Sequence, residues 1–197
     1  MKKVILVDGN NLLFRSYYAT AYQGNFMKNS KGFPTNALYG FVNMINKIIN
    51  DEKPEYMLVA FDKGKTFRHD KYEDYKAGRI EMPNELKQQF PVAKEILTNL
   101  GIKWFEIDNY EADDIVGTLS KMIDDCDDYR GLIVSSDKDL LQLITDKVIM
   151  KMLKPKDYVM MTKETFFDVY GLTPEKMIDI KALQGDSSDN IPGVKGV

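Results

Sequence analysis

The sequence predicts an α/β fold with a mostly parallel sheet that is covered by helices on both faces. Short buried runs rich in Val, Ile and Leu alternate with segments whose apolar residues recur at helical spacing. Such alternation is typical of parallel strands joined by crossover helices. Three of the strand-like runs also end in an aspartate, and in sheets of this kind ligands gather at the carboxyl ends of the strands.

Each predicted strand is a short run of β-branched, aliphatic or aromatic residues bounded by a turn signal. The first, VILVD, stops at Asp8 and Gly9. YMLVAFD and GLIVSSD likewise end in Asp62 and Asp137, whereas KWFEI and KVIMKML have no terminal aspartate. In chain order the predicted strands are residues 4–8, 56–62, 103–107, 131–137 and 147–153.

The helices are predicted from apolar spacing and from residues that begin or end helices. Leu38, Phe41 and Ile45 recur at intervals of three or four residues. Pro83 is suited to the first turn of a helix, and Gly101 is suited to the position just after one. In chain order the predicted helices are residues 36–50, 83–100, 111–123, 162–170 and 174–183.

Length and composition indicate a globular protein. The 197 residues are 44% hydrophobic and 29% charged, which suits one domain, or one domain and the start of another. No apolar run approaches the roughly 18 residues that a membrane helix needs, so no membrane partner is expected. Cys126 is the only cysteine, which excludes an internal disulfide and a cysteine-rich zinc site and favours a cytoplasmic location.

The net charge of −3 is unevenly distributed and does not exclude a polyanionic partner. Residues 63–79 contain six Lys or Arg against three acids, interleaved with Phe67, Tyr72 and Tyr75. Cations alternating with aromatic rings suit a single nucleic-acid strand, through phosphate contacts and base stacking. An ordinary solvated helix would have the same composition, so the pattern alone leaves both interpretations open.

Further acids lie close in sequence to the acids at the strand ends. Glu111 and Asp114 lie about 60° apart around a predicted helix, and Asp113 lies about 100° from Asp114. Asp137 and Asp139 are two apart in a predicted extended segment and would point to one side. These spacings allow all of the acids to reach one region.

Each acid also has a purely structural interpretation. Asp8 could shape the turn after its strand, and Asp137 could cap a helix that begins near Leu140. Asp186 and Asp189 could be exposed loop residues. The recurrence of acids at strand ends, rather than any one of them, favours a functional site.

Convergence of the carboxylates would require bound cations. Each close pair of like charges costs about 1 kcal/mol in water and several times more at an effective dielectric near 20. Oxygen ligands without a His or Cys set favour Mg²⁺ or Mn²⁺ over Zn²⁺. Two such ions about 4 Å apart can activate a water and stabilise the leaving oxygen of a phosphodiester. The sequence contains no glycine-rich loop of the kinds that bind nucleotides, so no nucleotide cofactor is expected.

Five segments, in order, carry a resemblance to a known family. They are VDGNNLLFRSYYA (7–19), AFDKGKTFRHDKYEDYKAGR (60–79), YEADDIVGTL (110–119), SSDKDLLQL (135–143) and LQGDSSDNIPGVKG (183–196). They resemble the 5′→3′ exonuclease domain of bacterial DNA polymerase I and the related bacteriophage 5′-nucleases and flap endonucleases. The resemblance implies a PIN-like, Rossmann-type catalytic domain over residues 1–184, with a helical arch inserted at about 63–82. It also implies cleavage of DNA near a 5′ end or 5′ flap with two or more divalent cations, Mg²⁺ or Mn²⁺.

By this resemblance, nine acids are expected to hold the metal ions. They are Asp8, Asp62, Glu111, Asp113, Asp114, Asp137, Asp139, Asp186 and Asp189. The acids up to Asp114 are expected around one ion, and the remaining ones towards a second.

The resemblance also assigns roles to basic and aromatic residues. Arg15 matches a helix arginine that contacts the scissile phosphate, and with Lys76 it is expected to stabilise the charge that develops there. Lys76 and Arg79 match basic residues at the base of the arch, and Tyr75 matches an aromatic that can stack on a terminal base. Arg68, in the same segment, is expected to contact DNA.

Residues 185–197 are expected to combine the last metal-binding loop with the start of a helix–hairpin–helix element. Gly193, Lys195 and Gly196 belong to IPGVKG, which resembles the opening of that element. The hairpin of such an element offers backbone N–H groups to the phosphates of a DNA duplex. Its second helix is not among the 197 residues, so this DNA-binding element is expected to be incomplete.

The preferred hypothesis is a divalent-metal-dependent 5′→3′ exonuclease and structure-specific flap endonuclease of DNA replication and repair, acting as a monomer. One alternative is a non-catalytic nucleic-acid-binding fragment. Another is a ribonuclease of the broader PIN group, which generally uses fewer acids and needs neither the arch nor the G-D-x-x-D loop.

Overall fold

The structure is a computed structural model that describes residues 1–21 and 27–196, and it contains a six-stranded sheet with flanking helices. The strands of this sheet are β1 (Lys2–Asp8), β2 (Tyr56–Ala60), β3 (Lys103–Phe105), β4 (Tyr129–Ser135), β5 (Val148–Leu153) and β6 (Tyr158–Met161). The helices are α1 (Gly9–Thr20), α2 (Asn36–Glu52), α3 (Phe67–Lys71), α4 (Asn84–Lys87), α5 (Gln89–Asn99), α6 (Ala112–Asp124), α7 (Lys163–Tyr170) and α8 (Met177–Gln184). Two 3₁₀ segments, Asp139–Leu143 and Pro174–Lys176, and a short hairpin of β7 (Gly185–Asp186) and β8 (Ile191–Pro192) complete the described elements.

The strand order is β3-β2-β1-β4-β5-β6, with β1 to β5 parallel and β6 antiparallel to β5. This confirms the predicted α/β class with a mostly parallel sheet. β1 lies between β2 and β4, so the carboxyl ends of these three strands are neighbours at one edge. The strand β6 was not predicted, because YVMM is too short to show a clear period. It pairs with β5 through contacts such as Met150 with Met161.

Helices cover both faces of the sheet, as the sequence predicts. Ile5 and Val7 of β1 face one core with α1, α2 and α5, while Leu6 faces a second core with α6 and α7. The alternation follows from the period of two in a strand. No helix in the described part of the chain has the length and apolar character needed to cross a bilayer.

Several predicted boundaries differ from the observed ones for local reasons. The predicted helix 83–100 is divided into α4 and α5, because Pro91 has no N–H and its ring conflicts with the carbonyl of Lys87. β2 and β4 end two residues before Asp62 and Asp137, so both acids lie in the loops that follow. Asp139 begins a 3₁₀ turn rather than continuing an extended segment.

The predicted arch and C-terminal element have little regular structure. Within residues 63–82 the helix α3 is five residues long, and turns follow it to residue 78. Residues 185–196 form the β7–β8 hairpin, whose Asp186 pairs with Ile191, and Val197 lies outside the described residues. The helix–hairpin–helix assignment of this segment stays a prediction.

Gly185 permits the close approach of the hairpin to the end of α8. Its φ is +72°, and a Cβ there would lie within 3 Å of backbone atoms of Ile191, Pro192 and Gly193. Val194 N also donates to the carbonyl of Leu183 at 2.8 Å. The hairpin that carries Asp186 and Asp189 therefore depends on the absence of a side chain at position 185.

We predict that Gly185→Ala opens this hairpin, because an alanine is strained at this positive φ and its Cβ would clash with the backbone. Amide hydrogen exchange at residues 183–194 should accelerate at least tenfold. Gly171→Ala is the matched control, since Gly171 has a φ of +66° but no atom near its missing Cβ. Equal acceleration of exchange at residues 183–194 in the two variants would show that the close backbone approach at Gly185 does not stabilise the hairpin.

Candidate functional site

The nine predicted acids line one cavity at the carboxyl edge of the sheet. Its volume is about 990 Å³, and its acidic lining consists of Asp8, Asp62, Glu111, Asp113, Asp114, Asp137, Asp139, Asp186 and Asp189. We call it the acidic cavity. The segments that contribute these acids follow β1, β2 and β4, begin α6, or belong to the β7–β8 hairpin.

Asp8 is fixed at the junction of β1 and α1. Its Oδ1 accepts a hydrogen bond from Asn11 N at 2.9 Å and caps the helix, while Oδ2 accepts from Ser135 Oγ at 3.0 Å. Asp8 therefore has a structural role at the end of its strand, as the cap of α1, and its role as a metal ligand stays a prediction. Burial, despite these hydrogen bonds, and then the charges of Asp62 and Asp137 raise the pKa of Asp8 to about 7.

Asp62 is held by the neighbouring segments. Its Oδ1 accepts from Ala112 N at 2.7 Å, and its Oδ2 accepts from Asn10 Nδ2 at 2.8 Å. Asn10 Oδ1 in turn accepts from Asp62 N at 3.1 Å. The amide of Asn10 thus fastens the start of α1 to the loop after β2, and burial raises the pKa of Asp62.

The first turn of α6 presents three acids with different partners. Glu111 Oε1 lies 2.7 Å from Lys76 Nζ. Asp114 forms two hydrogen bonds of 2.7 Å with Arg68. Asp113 accepts no hydrogen bond from the described residues, and burial followed by the charges of neighbouring acids raises its pKa to about 8.

Asp137 stabilises the turn into the 3₁₀ segment. Its Oδ1 accepts from Asp139 N at 2.9 Å, and its own N–H donates to Ser135 Oγ at 3.0 Å. Asp137 is not the expected cap of a helix near Leu140, because Lys138 occupies the cap position of the 3₁₀ segment and no side chain makes a capping hydrogen bond there.

Lys181 of α8 joins Asp139 to Asp186. Its Nζ lies 2.6 Å from Asp139 Oδ1 and 2.7 Å from Asp186 Oδ2. The contact with Asp139 is an ion pair without good hydrogen-bond direction, since this oxygen has no well-oriented donor. Burial opposes ionisation of Asp186, but hydrogen bonds from Lys181 and Ser188 lower its pKa to about 2.

The arch segment is fastened to the acidic cavity by its cations. Arg68 pairs with Asp114 and Lys76 pairs with Glu111, as described above. Arg79 pairs with Asp189 Oδ1. Lys76 N also donates to the carbonyl of Asp189 at 2.9 Å, and Lys76 adopts a left-handed φ of +60°. The predicted basic residues of the arch therefore do face the acids.

Tyr75 is buried rather than displayed for base stacking. It is 6% exposed, and its hydroxyl lies 3.1 Å from both Glu111 Oε2 and Asp189 Oδ2. Its ring packs edge-on against His69 with centroids 5.1 Å apart. Burial and the two carboxylate charges raise the pKa of Tyr75. A base could reach the ring only after this part of the arch moved.

Four predicted residues do not line the acidic cavity. Arg15 Nη2 donates to the carbonyl of Lys154, and its side chain lines a separate, smaller cavity. Gly193, Lys195 and Gly196 lie in the exposed end of the described chain. A Cβ at Gly193 would meet the backbone of Leu183 and Gln184, so this glycine has a packing role irrespective of DNA.

Sequence reasoning missed the polar residues that position the acids. Lys181 could have been noticed, because it occupies the last turn of the helix that leads into Asp186. Asn11 Oδ1 accepts from Ser136 N and Oγ at 3.0 and 2.8 Å, which ties α1 to the loop after β4. Nothing in the local pattern indicates that contact, since the partners are 125 residues apart.

The donor set suits Mg²⁺ or Mn²⁺, although it is not assembled as a cage. In residues 1–21 and 27–196, no three Asp, Glu, His or Cys side chains are close enough to hold an ion between them. Mg²⁺ keeps several waters and commonly uses only one or two carboxylates, so such a cage is not required. Asp113 has no partner among the described residues, and burial and the charge of Asp8 disfavour its ionised form; a bound divalent cation would favour that form.

A mostly parallel sheet with carboxylates collected at its carboxyl edge defines an α/β protein whose candidate site lies at the strand ends. The family model described as "5'-3' exonuclease, N-terminal resolvase-like domain" matches residues 3–171. The chain therefore belongs to this 5′→3′ exonuclease family.

Two curated relatives come from Bacillus subtilis. A DNA polymerase I is 48% identical over 199 aligned residues, covering all of this chain but 22% of the polymerase. A protein named 5′-3′ exonuclease is 46% identical over 198 residues, covering 99% of this chain and 66% of that protein. The chain thus spans about a fifth of the one relative and about two thirds of the other.

Crystal structures of the bacteriophage T5 flap endonuclease have the same fold. One co-crystallised with metal ions and one in a pseudo-enzyme–product complex with DNA and metal ions both superpose with a TM-score of 0.76. Their sequence identity is 26% and 25%, and each match covers 100% of this chain and 71% of the phage protein. The PIN-like assignment is therefore confirmed.

We predict that Asp113→Asn stabilises the metal-free protein at pH 8 by about 1–3 kcal/mol, because it removes a buried charge from a group of acids. The pKa of Asp113 is near 8 when folded and 3.8 in an unfolded chain, so its ionisation opposes folding increasingly as pH rises between these values. The gain should therefore be smaller at pH 5. Urea unfolding at both pH values measures it.

If Asp113 is a metal ligand as predicted, the same substitution should also reduce any stabilisation of the protein by added Mg²⁺ or Mn²⁺. Asp168→Asn, at an exposed position on α7, is the control for the loss of one acid. An Asp113→Asn protein that is less stable than wild type in EDTA would contradict this account of the cavity.

We also predict that Lys181→Met increases the number or affinity of Mn²⁺ ions bound, because it frees Asp139 and Asp186 for a cation. Without metal the variant should be destabilised, since two neighbouring carboxylates lose their shared ammonium. Isothermal titration calorimetry gives the stoichiometry. Lys176→Met removes an exposed ion pair just before the same helix and should leave Mn²⁺ binding unchanged.

Proposed function

We propose that this chain is a divalent-metal-dependent 5′→3′ exonuclease and flap endonuclease that hydrolyses DNA phosphodiesters in replication and repair. The observation that carries the proposal is the single cavity lined by all nine predicted acids, in a member of the 5′→3′ exonuclease family. We expect the chain to act as a monomer in the cytoplasm, without a nucleotide cofactor. DNA and metal ions in the crystals of the phage flap endonuclease support this proposal.

The acids differ in whether a lysine or arginine of the chain already occupies them, and this decides which of them could hold a metal ion directly. Asp8, Asp62, Asp113 and Asp137 carry no paired cation among the described residues, so we assign them to a first ion. For Asp137 this replaces the expected assignment towards the second ion. Asp139 and Asp186 share Lys181 and would join a second ion only when this lysine moves. When bound, divalent cations supply the activation of water and the neutralisation of charge on the phosphate.

The chain's own cations have two roles in this proposal. Arg68, Lys76 and Arg79 reduce the negative potential of the acidic cavity, which would otherwise repel DNA. Lys76 is the best placed of them to donate to a phosphate oxygen, because its Nζ lies at the cavity wall against Glu111. Tyr75, bonded to the same wall, would position the Lys76 backbone rather than a base.

The decisive experiment is metal-dependent cleavage of a 5′-flap DNA by this chain. We predict that Asp8→Asn lowers the cleavage rate by at least about 100-fold, since metal-assisted phosphodiester hydrolysis depends on such ligands. The asparagine Oδ1 can still cap α1, and its Nδ2 can donate to Ser135 Oγ in place of the hydrogen bond that Asp8 Oδ2 accepts, so circular dichroism should show an intact fold. Asp168→Asn should cleave as the wild type does.

Two other outcomes correspond to the alternative functions. DNA binding without cleavage at any Mg²⁺ or Mn²⁺ concentration would indicate a non-catalytic nucleic-acid-binding fragment. Faster cleavage of single-stranded RNA than of DNA flaps would indicate a PIN-type ribonuclease.

A further inference from the structure

A second cavity opens beyond the carboxyl end of β5, on the sheet face that carries α1 and α2. Its volume is about 140 Å³, and α1, α2 and the turn 154–157 between β5 and β6 form its walls. We call it the basic cavity, because five cations line it against two acids. The cations are Arg15, Lys47, Lys151, Lys154 and Lys156.

The walls of the basic cavity are held in place by internal contacts. Lys151 is only 4% exposed, pairs with Glu52 of α2, and lies 4.1 Å from the ring centroid of Tyr158. Arg15 bonds to the carbonyl of Lys154, which fastens the turn to α1. The turn itself is closed by Lys154 N donating to the carbonyl of Asp157 at 2.8 Å. The cavity is therefore preformed.

The charges around the basic cavity are incompletely neutralised. Within residues 1–21 and 27–196, no carboxylate forms an ion pair with Lys47, Lys154 or Lys156. Of the two acids, Asp157 already accepts from Tyr158 N at 2.8 Å, and Asp51 is exposed on α2. Lysines gathered around a concave site without counter-charges favour an anion with several oxygens.

The basic cavity lies beside the acidic cavity. Phe14 lines the acidic cavity and Arg15, the next residue of α1, lines the basic one. In the sheet, β5 is two strands from β1, a distance of about 10 Å. This equals about three base-pair rises of 3.4 Å along the axis of a DNA duplex. The arch follows β2, on the other side of β1, so the two basic regions flank the acids.

Electrostatics explains why such a flanking site is needed. The acids repel a phosphate backbone, and the arch cations Arg68, Lys76 and Arg79 are already paired with carboxylates. Cations that the acids do not neutralise therefore add attraction for the backbone. The basic cavity provides them at the same edge of the sheet.

We propose that the basic cavity binds a phosphate group of the DNA strand a few nucleotides from the cleaved bond, with Arg15, Lys47, Lys154 and Lys156 as its donors. This inference rests on the proposed nuclease function. It gives Arg15 a role in substrate binding, in place of the expected contact with the scissile phosphate. The two roles differ in what they change: binding alters the enzyme concentration needed for saturation, whereas contact with the scissile phosphate alters the limiting rate.

The test is single-turnover cleavage of a fluorescent 5′-flap DNA over a range of enzyme and salt concentrations. For Lys154→Ala/Lys156→Ala we expect the half-saturating concentration to rise about tenfold at low salt, with a limiting rate within about twofold of wild type. The slope of log affinity against log salt should become shallower by about 1 to 2. Arg15→Gln should show the same division between binding and rate.

Lys103→Ala is the matched control, because Lys103 is an exposed lysine at the amino end of β3, on the opposite edge of the sheet. If the wild type cleaves the flap but Lys154→Ala/Lys156→Ala has an unchanged half-saturating concentration and salt slope, the proposal for the basic cavity is overturned. The nuclease function is still supported in that case. A large fall in limiting rate for Arg15→Gln, at unchanged saturation, would return Arg15 to the scissile phosphate and also overturn the proposal for the basic cavity.

If the wild type does not cleave, the proposed function fails first, and fluorescence anisotropy of the same DNA then gives the affinity and salt slope of each variant. Inorganic phosphate provides a separate arm. We expect it to shift amide resonances of residues 154–158 and to compete with the oligonucleotide. Resonance shifts without competition would identify a site for a free anion rather than for a DNA strand, and would overturn the proposal.

Discussion

Repulsion among nine carboxylates in one cavity is the constraint on which the rest of the structure depends. Acids this close are stable together only if neighbouring cations neutralise some of them or if some of the acids keep a proton. The structure uses both solutions: lysines and arginines pair with the outer acids, while burial raises the pKa of Asp8 and Asp113 at the centre. The cations come from the arch and from α8, so these segments are fastened to the sheet chiefly through the acids they neutralise.

The topology explains why the acids converge at all. Parallel strands end at one edge, and the central position of β1 brings the loops after β2 and β4 to either side of Asp8. Asn10 and Asn11, at the start of α1, then bond to Asp62 and Ser136 in those two loops. These amides hold the loops without adding charge, which leaves the negative potential of the site available to a metal ion.

The fold class and the acids could be predicted from the sequence because both depend on short-range patterns. A buried run followed by Asp8 or Asp62 indicates a strand end, and strand ends of a parallel sheet are neighbours whatever the loop lengths. The partners of the acids could not be predicted, since the contact of Lys76 with Glu111 joins segments 35 residues apart. Tyr75 shows the same limit: its aromatic character indicates stacking, but only the folded arch shows that carboxylates enclose its hydroxyl.

Lysines and divalent cations would compete for the same carboxylate oxygens. The metal affinity of this cavity would therefore be set by the difference in free energy between pairing the acids with a metal ion and pairing them with lysine. Asp113 has no paired cation, so it could hold an ion without breaking an ion pair. Asp139 and Asp186 could hold one only if Lys181, which pairs with both, moved away. A phosphodiester at the cavity would favour that movement, because its negative charge could pair with the released lysine. We therefore expect fuller metal loading with a phosphodiester bound than in the free protein.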